Sequence, residues 1–177
     1  MIRKIISLRE MLDNAQQLIN LKINDIDEIK FLKEYICRDK RRVYFFQVTA
    51  AFNQYISLLP TEFFIAIACK IHDFVDEKYF IGGFALKGNK ENQNDLELVN
   101  HNYKRCHSIP DHWQGIGIGS ELLKEVIDYV DSFADNFSIS VTINEFQNKK
   151  WAETVEKLGF IGNLESMIYR PAKQLSR

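Results

Sequence analysis

Leu8, Met11, Leu12, Ala15, Leu18 and Ile19 recur at three- and four-residue spacing through LREMLDNAQQLINLK, which predicts a helix with one buried face. RKIISL at 3–8 is short and β-branched and predicts an opening strand. NDIDEIKFLKEYI predicts a second helix, with Asn24 or Asp25 as its cap and early acids that suit the positive helix end. VYFFQVTAAFNQYISLL is apolar enough for either strand or helix; helix is the preferred reading, and Pro60 ends it.

Further on the pattern changes from helical to strand-like. FFIAIACKI and YFIGGFALK are β-rich runs on either side of HDFVDE and predict an antiparallel hairpin. After the polar turn GNKENQND, LELVNHNYKRCHSI extends the meander by a third strand, long enough to need a bulge. Glycines alternate with isoleucines in QGIGIGS, and a helix follows from about Ser120 to Ser132, with Leu122, Leu123, Val126, Ile127 and Val130 on its core side. FSISVTI predicts a strand parallel to the one before that helix; NKKWAETVEKLGF predicts a helix ended by Gly159, and ESMIYR a last short strand. The elements predict an α+β fold around one mixed sheet flanked by helices, in a single domain over residues 1–177, without internal repeats or linkers.

Charge removes some partners from this picture. A formal net charge of -1 gives no general attraction to polyanions, so nucleic acid is not an expected partner. The one basic run, RDKRR at 38–42, reads as a solvated helix end or as a contact for an anionic ligand. Cys37, Cys69 and Cys106 lack metal-ligand spacing and read as buried free thiols, with no metal expected. An unpaired cysteine count and the absence of a secretory pattern in MIRKIISLRE point to the cytoplasm. No segment approaches the roughly 20 apolar residues that cross a bilayer, so no membrane partner is expected.

The glycine loop between a strand and a helix is where chemistry enters. Glycines let backbone amides turn toward an anion, and the helix start adds about half a positive charge. A Walker loop needs a lysine before its Ser or Thr, and GIGIGSEL offers Ser120 without one. A dinucleotide-binding reading makes Gly115, Gly117 and Ser120 a degenerate GxGxxG, but that motif opens its domain and requires an acid on the next strand, where Thr142, Ile143 and Asn144 stand. Gln114, Gly117 and Gly119 instead fit Q/R-x-x-G-x-G/A. On that pattern, on IPDHWQGIGIGSELL, and on NKKWAETVEKLGF downstream, the chain resembles the GNAT acyltransferases, the superfamily of acetyl-CoA-dependent N-acetyltransferases. The resemblance covers most of the chain, with residues 36–60 longer than usual.

That resemblance implies a GNAT-like mixed sheet whose parallel strands splay around a coenzyme A site. Backbone amides of Gly115, Ile116, Gly117, Ile118, Gly119 and Ser120 would cradle the pyrophosphate, with Gln114 at the loop entrance and Ile116 and Ile118 anchoring the loop to the core. Ile109 would pair its backbone with the pantetheine arm, Asn148 would hydrogen-bond the pantetheine or thiol end, and Lys149 or Lys150 would meet a phosphate or simply line an exposed helix face. Acetyl-CoA would be the acyl donor and a primary amine the acceptor, by direct attack.

The catalytic side is thinner. The family's leaving-group acid is often a Tyr four residues before the Gly-Phe pair, and here Val155 occupies that place. Tyr103 and Tyr169 are the replacement acids. The family's strand base, a Glu or His, falls at Tyr103; His101, Tyr103, Arg105 and His107 share a face of an unbroken strand, and His107, nearer the acyl end, is the preferred base. Glu97 is the fallback, with pairing in the sheet as its simpler role. The departures at Val155 and at the strand base leave a second reading open, a GNAT-fold module that binds coenzyme A without catalysis. Asp25, Asp27 and Glu28 would attract a cationic amine or merely cap a helix, and a homodimer is admissible.

Overall fold

The structure, a computed structural model, describes residues 8–20, 26–50, 61–68, 80–88, 95–101, 113–134, 138–144, 146 and 148–172. Helix α1 (Leu8–Asn20) is followed by five strands, β1 (Ile26–Ile36), β2 (Arg42–Ala50), β3 (Thr61–Ala68), β4 (Phe80–Gly88) and β5 (Asp95–His101). Then come α2 (Ile118–Asp131), β6 (Ser140–Asn144), α3 (Lys149–Lys157), β7 (Ile161–Gly162) and β8 (Ser166–Tyr169). Among the described residues the strands form one eight-stranded sheet in the order β1-β2-β3-β4-β5-β6-β8-β7. The expected α+β architecture is therefore present, with its meander and its helix at the glycine loop. The opening strand expected at 3–8 lies outside the described residues, apart from Leu8, which begins α1.

Two predicted helices are strands. NDIDEIKFLKEYI carries β1, because two irregularities break its alternation: pairing with β2 skips Asp27 between Ile26 and Glu28, and skips Leu32 between Phe31 and Lys33. Each skipped residue shifts the facing by one, so a period of two imitates a helical spacing in sequence. The skip at Leu32 has a spatial result. Ile29 and Phe31 pair with Val48 and Phe46, whereas Lys33 and Tyr35 pair with Phe45 and Val43, on the opposite face of the sheet. The predicted helix over VYFFQVTAAFNQYISLL is likewise a strand as far as Ala50, in β2, and its remainder lies outside the described residues; Phe45 and Phe46 of β2 point to opposite faces and are both fully buried. A strand covered on both sides has a continuous apolar run rather than an alternating one. Residues 38–41 are consequently part of the hairpin turn leading into β2, which Arg42 opens, not a helix end.

Every described strand pair is antiparallel except β5 with β6. That parallel ladder runs only through Asp95↔Ser140, Leu96↔Val141 and Glu97↔Thr142. Beyond it β5 continues to His101 against β4, and β6 continues to Asn144 against β8. The two strands thus part company in the middle of the sheet. Ser140 Oγ donates to Asp95 Oδ1 at 2.6 Å at the closed end, and Asn144 Nδ2 donates to Glu97 Oε1 at 3.3 Å where the strands separate.

The core joins the sheet to its helices. Ile118, Leu122, Leu123, Val126 and Val130 of α2 are buried, in one cluster with Phe45 and Ile81 from the strands. Ala152 and Val155 of α3 join the same cluster, and Trp151 stacks on Phe84 at 6.0 Å. Among the described residues no helix is long and apolar enough to cross a membrane.

Candidate functional site

The glycine loop lies at the N-terminus of α2, which starts at Ile118, two residues before the predicted start. Ile118, Gly119 and Ser120 are therefore the first helical turn rather than loop. Gly115 and Gly117 hold φ of +72° and +98°, a region that L side chains rarely adopt. Their surroundings differ. Among the described residues a Cβ built on Gly115 meets nothing within 4 Å, whereas one on Gly117 would collide with the Tyr35 hydroxyl. The loop is thus open at Gly115 and closed against β1 at Gly117. Ile118 is buried and Ile116 packs against the core, so both isoleucines sit as anchors should.

The amides at the two helix starts are treated differently. Gly117 is the N-cap of α2, and among the described residues no side chain caps that helix. Asn148 caps α3, its Oδ1 accepting from Lys150 N at 2.9 Å and from Trp151 N at 3.4 Å. That oxygen is accordingly committed to the helix. Ser120 Oγ turns back and donates to Gly117 O at 2.9 Å. Lys149 and Lys150 are exposed on α3.

The hairpin between β1 and β2 packs directly on the loop. Arg38 N and Tyr35 Oη both donate to Ile116 O at 3.3 Å. The Arg41 guanidinium lies 3.9 Å from the centroid of the Trp113 ring, just ahead of the loop, and Arg41 Nε pairs with Asp39 at 2.6 Å. Arg42 pairs with Glu34 at 3.1 Å. The basic run therefore braces the loop from the sheet's edge, an arrangement that the sequence could reveal only through the register of β1.

Charges below the loop are balanced. Lys33 reaches Glu125 and Glu121 on α2, and Lys124 reaches Glu121. Burial opposes ionisation of Glu121, but the hydrogen bonds and charges of Lys124 and Lys33 outweigh it and hold the carboxyl below its usual range. Glu121 is also in the first turn of α2, where the helix dipole favours an anion. Burial and then Glu121 raise the Tyr35 phenol, so its hydroxyl keeps its proton.

The predicted catalytic residues are placed as follows. His107, Tyr103 and Ile109 lie outside the described residues; His101 is the last residue of β5 and pairs with Gly83. Glu97 is exposed and accepts the hydrogen bond from Asn144, the pairing role expected for it. Val155 is fully buried in the core. The Tyr169 hydroxyl donates to the Asp131 carboxylate, at 2.9 and 3.1 Å to its two oxygens. Burial first, and then Asp131, push that phenol well above its ordinary range. A phenol held in this way is a weak acid with its proton already engaged.

No family model matches the chain, and no curated protein matches it in sequence. Among solved structures it is similar to a variant of a cAMP-binding acyltransferase from Mycobacterium smegmatis, at 12% identity and a TM-score of 0.55, covering 92% of this chain and 51% of that one. The chain thus spans about half the length of that protein. It is also similar to mutant forms of the spermidine/spermine N-acetyltransferase SpeG from Vibrio cholerae, at 19% identity and a TM-score of 0.43 over 66% of this chain and 68% of that one. A SpeG chimera gives 18% identity and a TM-score of 0.43 over 66% of this chain and 69% of its own. In its fold, the chain is thus similar to that cAMP-binding acyltransferase.

Proposed function

We propose that the chain is an acyl-CoA-dependent N-acyltransferase that moves an acetyl group from acetyl-CoA to a primary amine by direct attack. The observations that carry this reading are the parting of β5 from β6 and a helix α2 that, among the described residues, has no side-chain cap at its start and a loop open at Gly115. Such a helix start suits a pyrophosphate, since amides and dipole both favour an anion there. An open Cβ direction at Gly115 leaves room for one. The amides from Gly115 to Ser120 would hold the pyrophosphate, with Gln114 exposed at the entrance. Ile109 would offer its backbone to the pantetheine arm. Asn148, its oxygen used in the cap, would offer its amide nitrogen.

In the reaction an amine nitrogen forms a bond to the thioester carbonyl carbon, the carbon–sulfur bond breaks, and coenzyme A leaves as a thiolate that takes up a proton. His107 would accept the amine's proton, a task that an imidazole suits at neutral pH. Tyr103 would protonate the thiolate; Tyr169, bound to Asp131, is the poorer acid of the two.

One observation favours a second reading. Val155 is buried in the core at the position where the family often carries its acid, so a coenzyme A-binding module without catalysis fits the same fold. Two measurements decide. Acetyl-CoA should raise the melting temperature where NAD does not, by the linkage of about 2.7 kcal/mol at a hundredfold excess over Kd; stabilisation by NAD alone overturns the acyltransferase reading. Thiol release from acetyl-CoA over a panel of amines then separates enzyme from module, binding without release favouring the module.

A further inference from the structure

The group that sets the direction of the loop's central peptide comes from outside the loop's own motif. Tyr35 lies 81 residues before Ile116, yet its hydroxyl and the Arg38 N–H converge on the Ile116 carbonyl, each at 3.3 Å. A trans peptide is planar, so a carbonyl and the N–H that follows it point in opposite directions. With the Ile116 oxygen held on the hairpin, the Gly117 N–H faces away from the hairpin. The same contact keeps a carbonyl oxygen, which would repel a phosphate, from rotating to the other side of the loop.

Tyr35 is itself held in place. Its ring stacks on Phe45 at 5.6 Å and 22°, on the α2 face to which the skipped Leu32 delivers it. The Tyr35 hydroxyl lies so close to the Gly117 α-carbon that only glycine fits there. The hydroxyl, the Gly117 hydrogen and the Ile116 oxygen form one contact.

We propose that Tyr35 is a positioning residue for the cofactor loop: it latches the Ile116 carbonyl so that the Gly117 amide is presented to the pyrophosphate of coenzyme A. This rests on the acyl-CoA reading of the loop. Tyr35 touches no reacting atom in this role, so its removal should affect the pyrophosphate grip and leave the chemical step intact.

The test compares coenzyme A with pantetheine, which lacks the pyrophosphate, by titration calorimetry on the full chain. Tyr35→Phe should weaken coenzyme A about tenfold, the worth of one hydrogen bond lost together with its orientation, and leave pantetheine unchanged. In steady-state assays KM for acetyl-CoA should rise with kcat preserved. A fluorinated tyrosine placed at position 35, whose phenol is more acidic than tyrosine's, should bind coenzyme A normally below the pH of its ionisation and weakly above it; this keeps the test valid should Tyr35→Phe fold poorly. Equal weakening of both ligands, or none of either, overturns the latch while wild-type binding of coenzyme A stands. Failure of the wild-type chain to bind coenzyme A overturns the reading beneath it.

Discussion

Gly117→Ala offers the sharpest test of how the glycine loop is held. Two separate costs arise from the structure. The first is backbone strain, since alanine at φ of +98° and ψ of -5° costs about 1–2 kcal/mol. The second is steric: the new Cβ displaces the Tyr35 hydroxyl, and a net hydrogen bond to Ile116 O of about 1 kcal/mol goes with it. Tyr35 cannot simply swing aside, because its ring is stacked on Phe45. Gly117→Ala should therefore lower stability in urea denaturation by about 2–3 kcal/mol, visible as a lower midpoint at unchanged m. Gly115→Ala is the internal control, since only strain applies at an open position, and its cost should stay near 1 kcal/mol. A double-mutant cycle separates the costs. In a Tyr35→Phe background the hydroxyl is gone, so Gly117→Ala should cost only the strain, and the coupling should be about 1 kcal/mol. A Gly117→Ala protein as stable as wild type, or one that loses the same amount in both backgrounds, would refute the contact.

Two further outcomes follow from the same geometry. Tyr169→Phe leaves the Asp131 carboxylate without its half-buried donor and should destabilise the fold by about 1.5–3 kcal/mol while kcat stays near wild type; a fall in kcat of about a hundredfold or more at unchanged stability would instead restore Tyr169 as the leaving-group acid. The Cys37 thiol is pushed up to about 11, by burial first and then by Asp39, so its reactive thiolate is scarce below that pH and increases as pH rises through it. Iodoacetamide at about pH 8 should leave Cys37 unmodified in the folded chain and alkylate it in urea, as read by peptide mass mapping, and rapid native labelling would contradict the burial.

Much of the second half of the fold was legible in the sequence because local and tertiary signals agree there. α2 has a single apolar stripe of Leu122, Leu123, Val126 and Val130, and Asn148 is a capping residue placed where α3 starts. β3, β4 and β6 were legible for the same reason. β1 was not, since Asp27 and Leu32 are skipped in pairing and erase the alternation that identifies a strand. β2 was not, since burial of both Phe45 and Phe46 leaves no polar face to count. At the site, the isoleucine anchors were readable from alternation with glycine. The Tyr35 contact was hidden by its 81-residue separation and by its dependence on a bulge whose position no local pattern specifies. Tyr169 shows the converse: a tyrosine offered as a replacement acid because Val155 holds the usual place is tied to Asp131 on another element.

The skipped Leu32 has a consequence at the rim of the molecule as well. Among the described residues β1 is the outermost strand on its side, and a long straight border strand is a template on which another chain can add by main-chain pairing. The pairing irregularities divide this border into short segments, 28–31 and 33–36, and Asp27, Glu28, Lys30 and Glu34 project from it exposed. An approaching strand would find no uninterrupted ladder and would have to accommodate charges of both signs. The irregularity that aims Tyr35 at the loop thus also makes the border of the sheet a poor seed for polymerisation.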